Sequence, residues 1–256
     1  MYEYELKIVS TAAKQAGRLL MAMAVRGVRV DYKGAIDLVT EADRASEQLV
    51  VKALRKAFPD DDIMTEESER ERTKSARRWI IDPLDGTTNY AHNFPFWCVS
   101  IAFEHKGLVQ AGAIYHPALR ELFTARRGRG AHLNGSRIRV SRQHELEKSL
   151  LATGFPYDVH TSEQNNLEHF SRFIKRAQAV RRPGSAALDL AYVACGRFDG
   201  FWEIKLKAWD CAAASLMVAE AGGSITNYKG EAFNIYAQEC LASNGQIHRE
   251  MIEVLK

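Results

Sequence analysis

The sequence predicts a layered α+β/α/β protein, and three observations predict it. An amphipathic helical stretch opens the chain, with Leu6, Val9, Ala13, Ala16, Leu20 and Met23 at helical spacing. Strand-like runs then follow one another between residues 97 and 140, joined by Gly- and Asn-containing turns, as in an antiparallel sheet. From Ser149 onward, short apolar strands alternate with helices, the pattern of α/β layering.

After the first helix, Gly27 and Gly34 bracket a short extended piece. Asp37-Leu38-Val39-Thr40-Glu41-Ala42-Asp43 leads into a second helix with Leu49, Val50, Ala53, Leu54 and Phe58 on one face. Thr40 and Asp43 stand at capping-box spacing and Pro59 stops the helix, so the isolated segment reads as a structural cap. Ile63-Met64-Thr65 reads as a strand ending in Glu66-Glu67-Ser68, and the charged residues 69–78 read as a loop.

Trp79-Ile80-Ile81 reads as a buried strand that ends in Asp82-Pro83-Leu84-Asp85-Gly86-Thr87-Thr88-Asn89. Asp-Pro-Leu-Asp predicts a turn, with Pro pre-setting φ at its second position. Such a turn can sit on the surface with no further role, or it can aim two carboxylates at one point. In the second case a cation must lie between them, and oxygen-only ligands suit a hard ion such as Mg²⁺. If the strands ending at Glu66 and Asp82 are neighbours, three acidic groups meet at one sheet edge, where repulsion makes a purely structural reading difficult.

Further strands are expected over residues 97–103, 108–115, 121–124 and 138–140. In the second half, strands are expected at 150–153, near Val180 and at 198–203, with helices at 166–176 and 185–195. A helix over 209–220 ends at Gly222-Gly223, a strand pair surrounds Ile225 and Leu241, and a helix closes the chain.

Composition restricts the function classes. The 256 residues carry 35 basic against 32 acidic side chains, too balanced to indicate a nucleic-acid or membrane surface. The chain has no signal-like N-terminus and no apolar run of transmembrane length. Cys98, Cys195, Cys211 and Cys240 are far apart and in apolar company, which predicts buried free thiols in a reducing, cytoplasmic setting.

Glu66-Glu67, Asp82 to Asn89 and Trp209-Asp210 together resemble the two signature regions of the inositol monophosphatase family. Residues 37–43, Gly184-Ser185-Ala186-Ala187 and Glu220-Ala221-Gly222-Gly223 extend the match in the same order, and Gly154-Phe155-Pro156-Tyr157 resembles its bacterial and archaeal branch. The resemblance implies an αβαβα sandwich of the inositol monophosphatase/fructose-1,6-bisphosphatase type, in two parts. Residues 1–145 would form an α+β part with most metal ligands, and 146–256 an α/β part completing the site.

It also implies a metal-dependent phosphomonoesterase with two or three Mg²⁺ ions. Glu66, Asp82, Asp85, Asp210 and the Leu84 carbonyl match the metal ligands, with Glu67 behind them. Asp43 and Thr87 match the pair that orients the attacking water, and Glu66 joins them among the catalytic residues. Asp85, Gly86, Thr87, Ser185, Ala186, Glu203 and Asp210 match substrate-binding positions. Lys33 resembles a lysine near the metal waters, while His92 has no assigned part. Animal members carry a histidine near Lys207, so contacts there differ.

The expected substrate is a small phosphorylated polyol, inositol 1-phosphate first, with fructose 1,6-bisphosphate, histidinol phosphate and 3′-phosphoadenosine nucleotides as alternatives. The expected assembly is a cytoplasmic homodimer. From another class, some bacterial relatives work in transcription complexes, a role that Arg126, Arg127, Arg129, Arg137, Arg139 and Arg142 could serve. A solvated face is the simpler reading of those arginines.

Overall fold

Apolar side chains on successive strand positions alternate between two cores, and that alternation sets the architecture. The computed structural model describes residues 1–26, 30–32, 38–68 and 75–256. Helix α1 (Glu3–Arg26) precedes the small antiparallel pair β1 (Val30–Tyr32) and β2 (Leu38–Thr40), then α2 (Glu41–Ala57). Strands β3 (Asp62–Thr65) and β4 (Arg77–Asp85) lead to the short α3 (Thr87–Ala91). A run of strands follows: β5 (Cys98–His105), β6 (Leu108–His116), β7 (Glu121–Arg126), β8 (Ala131–Leu133) and β9 (Ser136–Arg137).

The second half holds β10 (Leu150–Thr153), α4 (Leu167–Ile174), β11 (Ala179–Arg181), α5 (Ala186–Ala194) and β12 (Gly200–Ile204). Helix α6 (Ala208–Glu220), β13 (Ser224–Thr226), β14 (Glu239–Ser243) and α7 (His248–Leu255) complete it.

The larger sheet runs β3-β4-β5-β6-β7-β8-β9 and the smaller β11-β10-β12-β14-β13. On β4 and β5, Trp79, Ile81, Val99, Ile101 and Phe103 pack toward α1 and α2, whereas Ile80, Cys98 and Ala102 point the other way, toward α5 and α6. On the smaller sheet, Phe201, Cys240 and Ala242 meet the same α5–α6 layer, and Trp202 and Leu241 face α4 and α7. Period-two alternation on two sheets thus yields five layers, αβαβα. Trp79 and Trp202 are fully buried in the two outer cores. Burial of a large apolar side chain is worth about 1.5–3 kcal/mol, so these residues are main supports of the outer helices.

The parallel pairing of β3 with β4 places Thr65 opposite Ile81, so Glu66 and Asp82 leave the two strands side by side. The expected Asp-Pro-Leu-Asp turn is instead an irregular end of β4: pairing with β5 continues to Asp85 opposite Cys98, with a register shift between Asp82 and Asp85. A bulge of this kind re-aims side chains without ending the strand. The strand expected at 138–140 is also absent. Val140 donates its N–H to Ala221 at the end of α6, so this stretch is a connector between layers, and the sheet is completed by β8 and β9. Gly27, Lys33, Gly34 and Asp37, and residues 69–74 of the charged loop, lie outside the described residues.

Candidate active site

Four elements deliver carboxylates to one cleft. Glu66 follows β3, Asp82 and Asp85 sit on the bulged end of β4, Asp210 lies in the first turn of α6, and Glu203 is near the end of β12. Asp85, Glu203 and Asp210 line a cavity of about 120 Å³ together with Gly86, Thr88, Gly154, Arg182 and Ser185. Larger surface clefts lie elsewhere, including one of about 730 Å³ beside Tyr228 and Tyr236, but Asp85, Glu203 and Asp210 line the small one, and Glu66 and Asp82 lie near enough to act on them electrostatically.

Local hydrogen bonds hold each acid in place. Asp82 Oδ1 accepts the Leu84 N–H at 3.0 Å, and Asp210 Oδ2 accepts the Lys207 N–H at 2.6 Å. Asp85 Oδ2 accepts from Ser185 Oγ at 2.6 Å and from the Ala187 N–H at 2.7 Å, so the start of α5 is tied to β4. Behind Glu66, the buried carboxylate of Glu47 accepts from Thr65 Oγ1, the Glu67 N–H and Ser68 Oγ, which fixes the segment that carries Glu66.

The charges oppose one another. Burial, then Glu66, Asp85 and Asp210, push the Asp82 carboxyl well above its ordinary range. Burial raises Asp85 to about 6 against the hydrogen bonds from Ser185, Ala187 and Ala186. Asp210 is raised by burial, then by Asp85 and Glu66. Glu203 reaches about 8 through burial, with Arg182 pulling it down and Asp85 pushing it up. Such a cluster is relieved by a cation, and its donors are oxygens throughout.

Among the described residues no three His, Cys, Asp or Glu side chains close into a preformed metal shell. Mg²⁺ does not require one, since it keeps several waters and uses one or two carboxylates plus substrate phosphate. Glu66, Asp82, Asp85, Asp210 and the Leu84 carbonyl therefore fit that ion by donor chemistry.

Beside the acids, Thr87 Oγ1 lies 3.0 Å from both Asp43 Oδ1 and the Leu84 carbonyl. Asp43 is fully buried. Its other oxygen accepts from the Thr40 N–H at 2.7 Å and from Thr40 Oγ1 at 2.6 Å, closing the capping box of α2. Asp43 therefore closes the cap with one oxygen and meets Thr87 with the other. Gly86 enters α3 at φ 97°, and a Cβ there would meet Phe96 O at 3.0 Å and Trp97 Cβ at 3.1 Å, so only glycine allows this turn.

The model of the inositol monophosphatase family matches residues 1–256. The chain belongs to the inositol monophosphatase family. It is 42% identical to a Pseudomonas aeruginosa protein named Nus factor SuhB, over 98% of this chain and 95% of that one. It is 41% identical to an inositol-1-monophosphatase of Synechocystis, over 98% of this chain and 88% of that one. The solved inositol monophosphatase of Anabaena superposes with a TM-score of 0.91 at 42% identity, covering 99% of this chain and 95% of that one. Membership in the inositol monophosphatase family makes this chain a phosphatase of a metal-dependent kind. Among the described residues no helix is long and apolar enough to cross a membrane.

Sequence reading had not singled out Glu47, Arg182 or Asp189. Glu47 carries no motif signal, because its partners at Thr65, Glu67 and Ser68 are distant in sequence. Arg182 and Asp189 flank the Gly-Ser-Ala-Ala motif, and i,i+3 spacing would have placed Asp189 on the same helix face as Ala186.

Proposed function

We propose that this chain hydrolyses phosphate monoesters of polyols, inositol 1-phosphate first, using Mg²⁺ held by Glu66, Asp82, Asp85, Asp210 and the Leu84 carbonyl, with Glu67 behind them. The observation that carries this reading is the cluster of mutually repelling carboxylates beside the Thr87–Asp43 hydrogen bond. Bound Mg²⁺ would supply a low-pKa water and neutralise the phosphate dianion.

The chain's own groups do the rest. Asp43 accepts the hydrogen bond of the Thr87 hydroxyl, which leaves the lone pairs of Thr87 Oγ1 free to accept from the attacking water and orient it. Glu66 assists from the opposite strand end. Backbone N–H groups of Gly86 and Thr87 would receive phosphate oxygens. Glu203, Asp210, Asp85, Ser185 and Ala186 would contact the sugar-like ring, and in-line attack needs no covalent nucleophile. Cys98 has its thiol raised well above the ordinary value, by burial first and then by Asp85 and Asp82, which argues against a nucleophilic part for it.

The same reading divides the chain into parts at about residue 145, with a homodimer as the assembly. A cytoplasmic setting accords with the four free cysteines. Phosphate release from inositol 1-phosphate, fructose 1,6-bisphosphate, histidinol phosphate and adenosine 3′,5′-bisphosphate tests the reading. Inositol 1-phosphate should give the highest kcat/KM, with activity lost in chelator and restored by Mg²⁺. Release from none of them would overturn it.

A second reading follows from the relatives named Nus factor SuhB, which are 40–42% identical over most of the chain. Under it the chain also serves a transcription complex. An RNA mobility shift that weakens steeply with salt would support that role, since phosphate-driven binding does so.

A further inference from the structure

Asp189 lies one turn into α5 beyond Ser185 and lines the cleft with Ala186, Arg182 and Glu203. It is 1% exposed, and no group donates a hydrogen bond to its buried Oδ1. Buried carboxylates are ordinarily satisfied, because an unpaired one keeps its full desolvation penalty. Packing does not require an acid at this position either, since its neighbours Ala187, Leu188, Leu190 and Ala191 belong to the apolar core. Burial, Glu203 and Asp85 all push its carboxyl upward, and Arg182 only partly offsets them. The position is costly for folding and faces the space where substrate would sit.

Glu203 approaches the same space from the other wall. A Cβ on Gly154 would stand 2.2 Å from Glu203 Oε1, so the glycine leaves room for that carboxylate. The cleft therefore has an acceptor on α5 and another on β12, with the Arg182 cation nearby disfavouring a positively charged ligand.

We propose that Asp189 is a second hydroxyl-reading residue, which together with Glu203 selects phosphate esters carrying at least two free hydroxyls. This rests on the polyol phosphatase reading above. A hydroxyl of the bound polyol supplies the donor that Oδ1 lacks, and a site built for such a donor discriminates strongly against ligands without it.

The test compares Asp189→Ala and Asp189→Asn on inositol 1-phosphate and on 4-nitrophenyl phosphate, with Mg²⁺ present. For Asp189→Ala, kcat/KM on inositol 1-phosphate should fall roughly 10- to 100-fold, the loss expected for a hydrogen bond to a charged acceptor. Turnover of the aryl ester should stay within about twofold, because it has no hydroxyls for Asp189 to read. Asp189→Asn, which keeps an acceptor oxygen, should recover part of the loss. Free myo-inositol should inhibit aryl-ester hydrolysis more weakly in Asp189→Ala. The Tm of ligand-free Asp189→Asn should equal or exceed that of the wild type, since a buried carboxyl with no donor to its Oδ1 gives way to an amide that cannot ionise. Equal losses on both esters, a lowered Tm for Asp189→Asn, or unchanged kinetics on inositol 1-phosphate would overturn the proposal while wild-type activity leaves the phosphatase reading standing. A wild-type protein that hydrolyses neither ester would overturn both.

Discussion

Thr87 Oγ1 and Asp43 Oδ1 lie 3.0 Å apart, joining the N-terminus of α2 to the start of α3 through one buried carboxylate. Because Asp43 Oδ2 is committed to the capping box, one carboxylate holds both the helix cap and Thr87. An asparagine has one carbonyl oxygen and can keep only one of these roles as acceptor. Asp43→Asn is therefore expected to lower kcat by roughly 10²-fold or more, the scale of a positioned proton acceptor. Its stability loss should be about 1 kcal/mol, as for a weakened N-cap. Steady-state kinetics beside thermal unfolding separates the two effects, and near-normal turnover would assign Asp43 to the cap alone.

Glu47 gives a positioning prediction. Its carboxylate takes donors from Thr65, Glu67 and Ser68, all around the Glu66 strand end. Glu47→Ala leaves those groups without their acceptor, at a cost of about 1.5–3 kcal/mol for bonds to a charged group. Glu66 then loses its fixed place. The Mg²⁺ concentration needed for half-maximal activity should rise by roughly 10-fold or more, the usual range when a group behind a metal ligand is removed. An unchanged Mg²⁺ requirement in a destabilised variant would limit Glu47 to folding.

Much of this site was legible because its acids sit in short motifs at element ends. Glu66 closes one strand and Asp82 and Asp85 another, and parallel pairing of β3 with β4 makes them neighbours. The layered α+β/α/β class followed from strand and helix patterning, whereas the five-layer order came from the resemblance to the inositol monophosphatase family. Long-range satisfaction was not legible. Nothing near Glu47 in sequence announces Ser68, and nothing near Asp85 announces that Ser185, 100 residues away, donates to it. The bulge was also hidden, because Asp-Pro-Leu-Asp has turn chemistry and only the pairing with β5 holds it in the sheet.

The raised carboxyls set a pH dependence for the metal-free protein. Glu203 moves from an ordinary 4.5 to about 8, and Asp85 from 3.8 to about 6. Between the ordinary and the raised values the folded state binds protons that the unfolded chain has released, so stability falls as pH rises. The Glu203 contribution is fully present below about pH 4.5 and is lost as pH rises through about 8. In chelator, Tm should drop between about pH 5 and 8, and Glu203→Gln, which cannot ionise, should flatten the upper part of that slope. A Tm that rises across this window would show that these groups are ionised in the folded apo protein.

Gly154 offers the sharpest separation of selectivity from catalysis. A methyl at this position would collide with the Glu203 carboxylate, at 2.2 and 2.3 Å from its two oxygens. Those atoms are the far end of a flexible side chain, so Gly154→Ala should fold with a stability change within about 1 kcal/mol, the carboxylate moving aside rather than the backbone. Glu203 would then leave the place from which, on the proposed function, it would meet a ring hydroxyl, while the Asp82–Asp85 strand end and the Thr87–Asp43 pair stay untouched. The expected outcome is a roughly 10-fold or larger drop in kcat/KM for inositol 1-phosphate, with 4-nitrophenyl phosphate hydrolysed nearly as before. Glu203→Gln should give a similar pattern, and the double variant should lose little more than either alone, because both changes remove one contact. Additive losses in the double variant would mean that Gly154 acts on the cleft by a route other than Glu203.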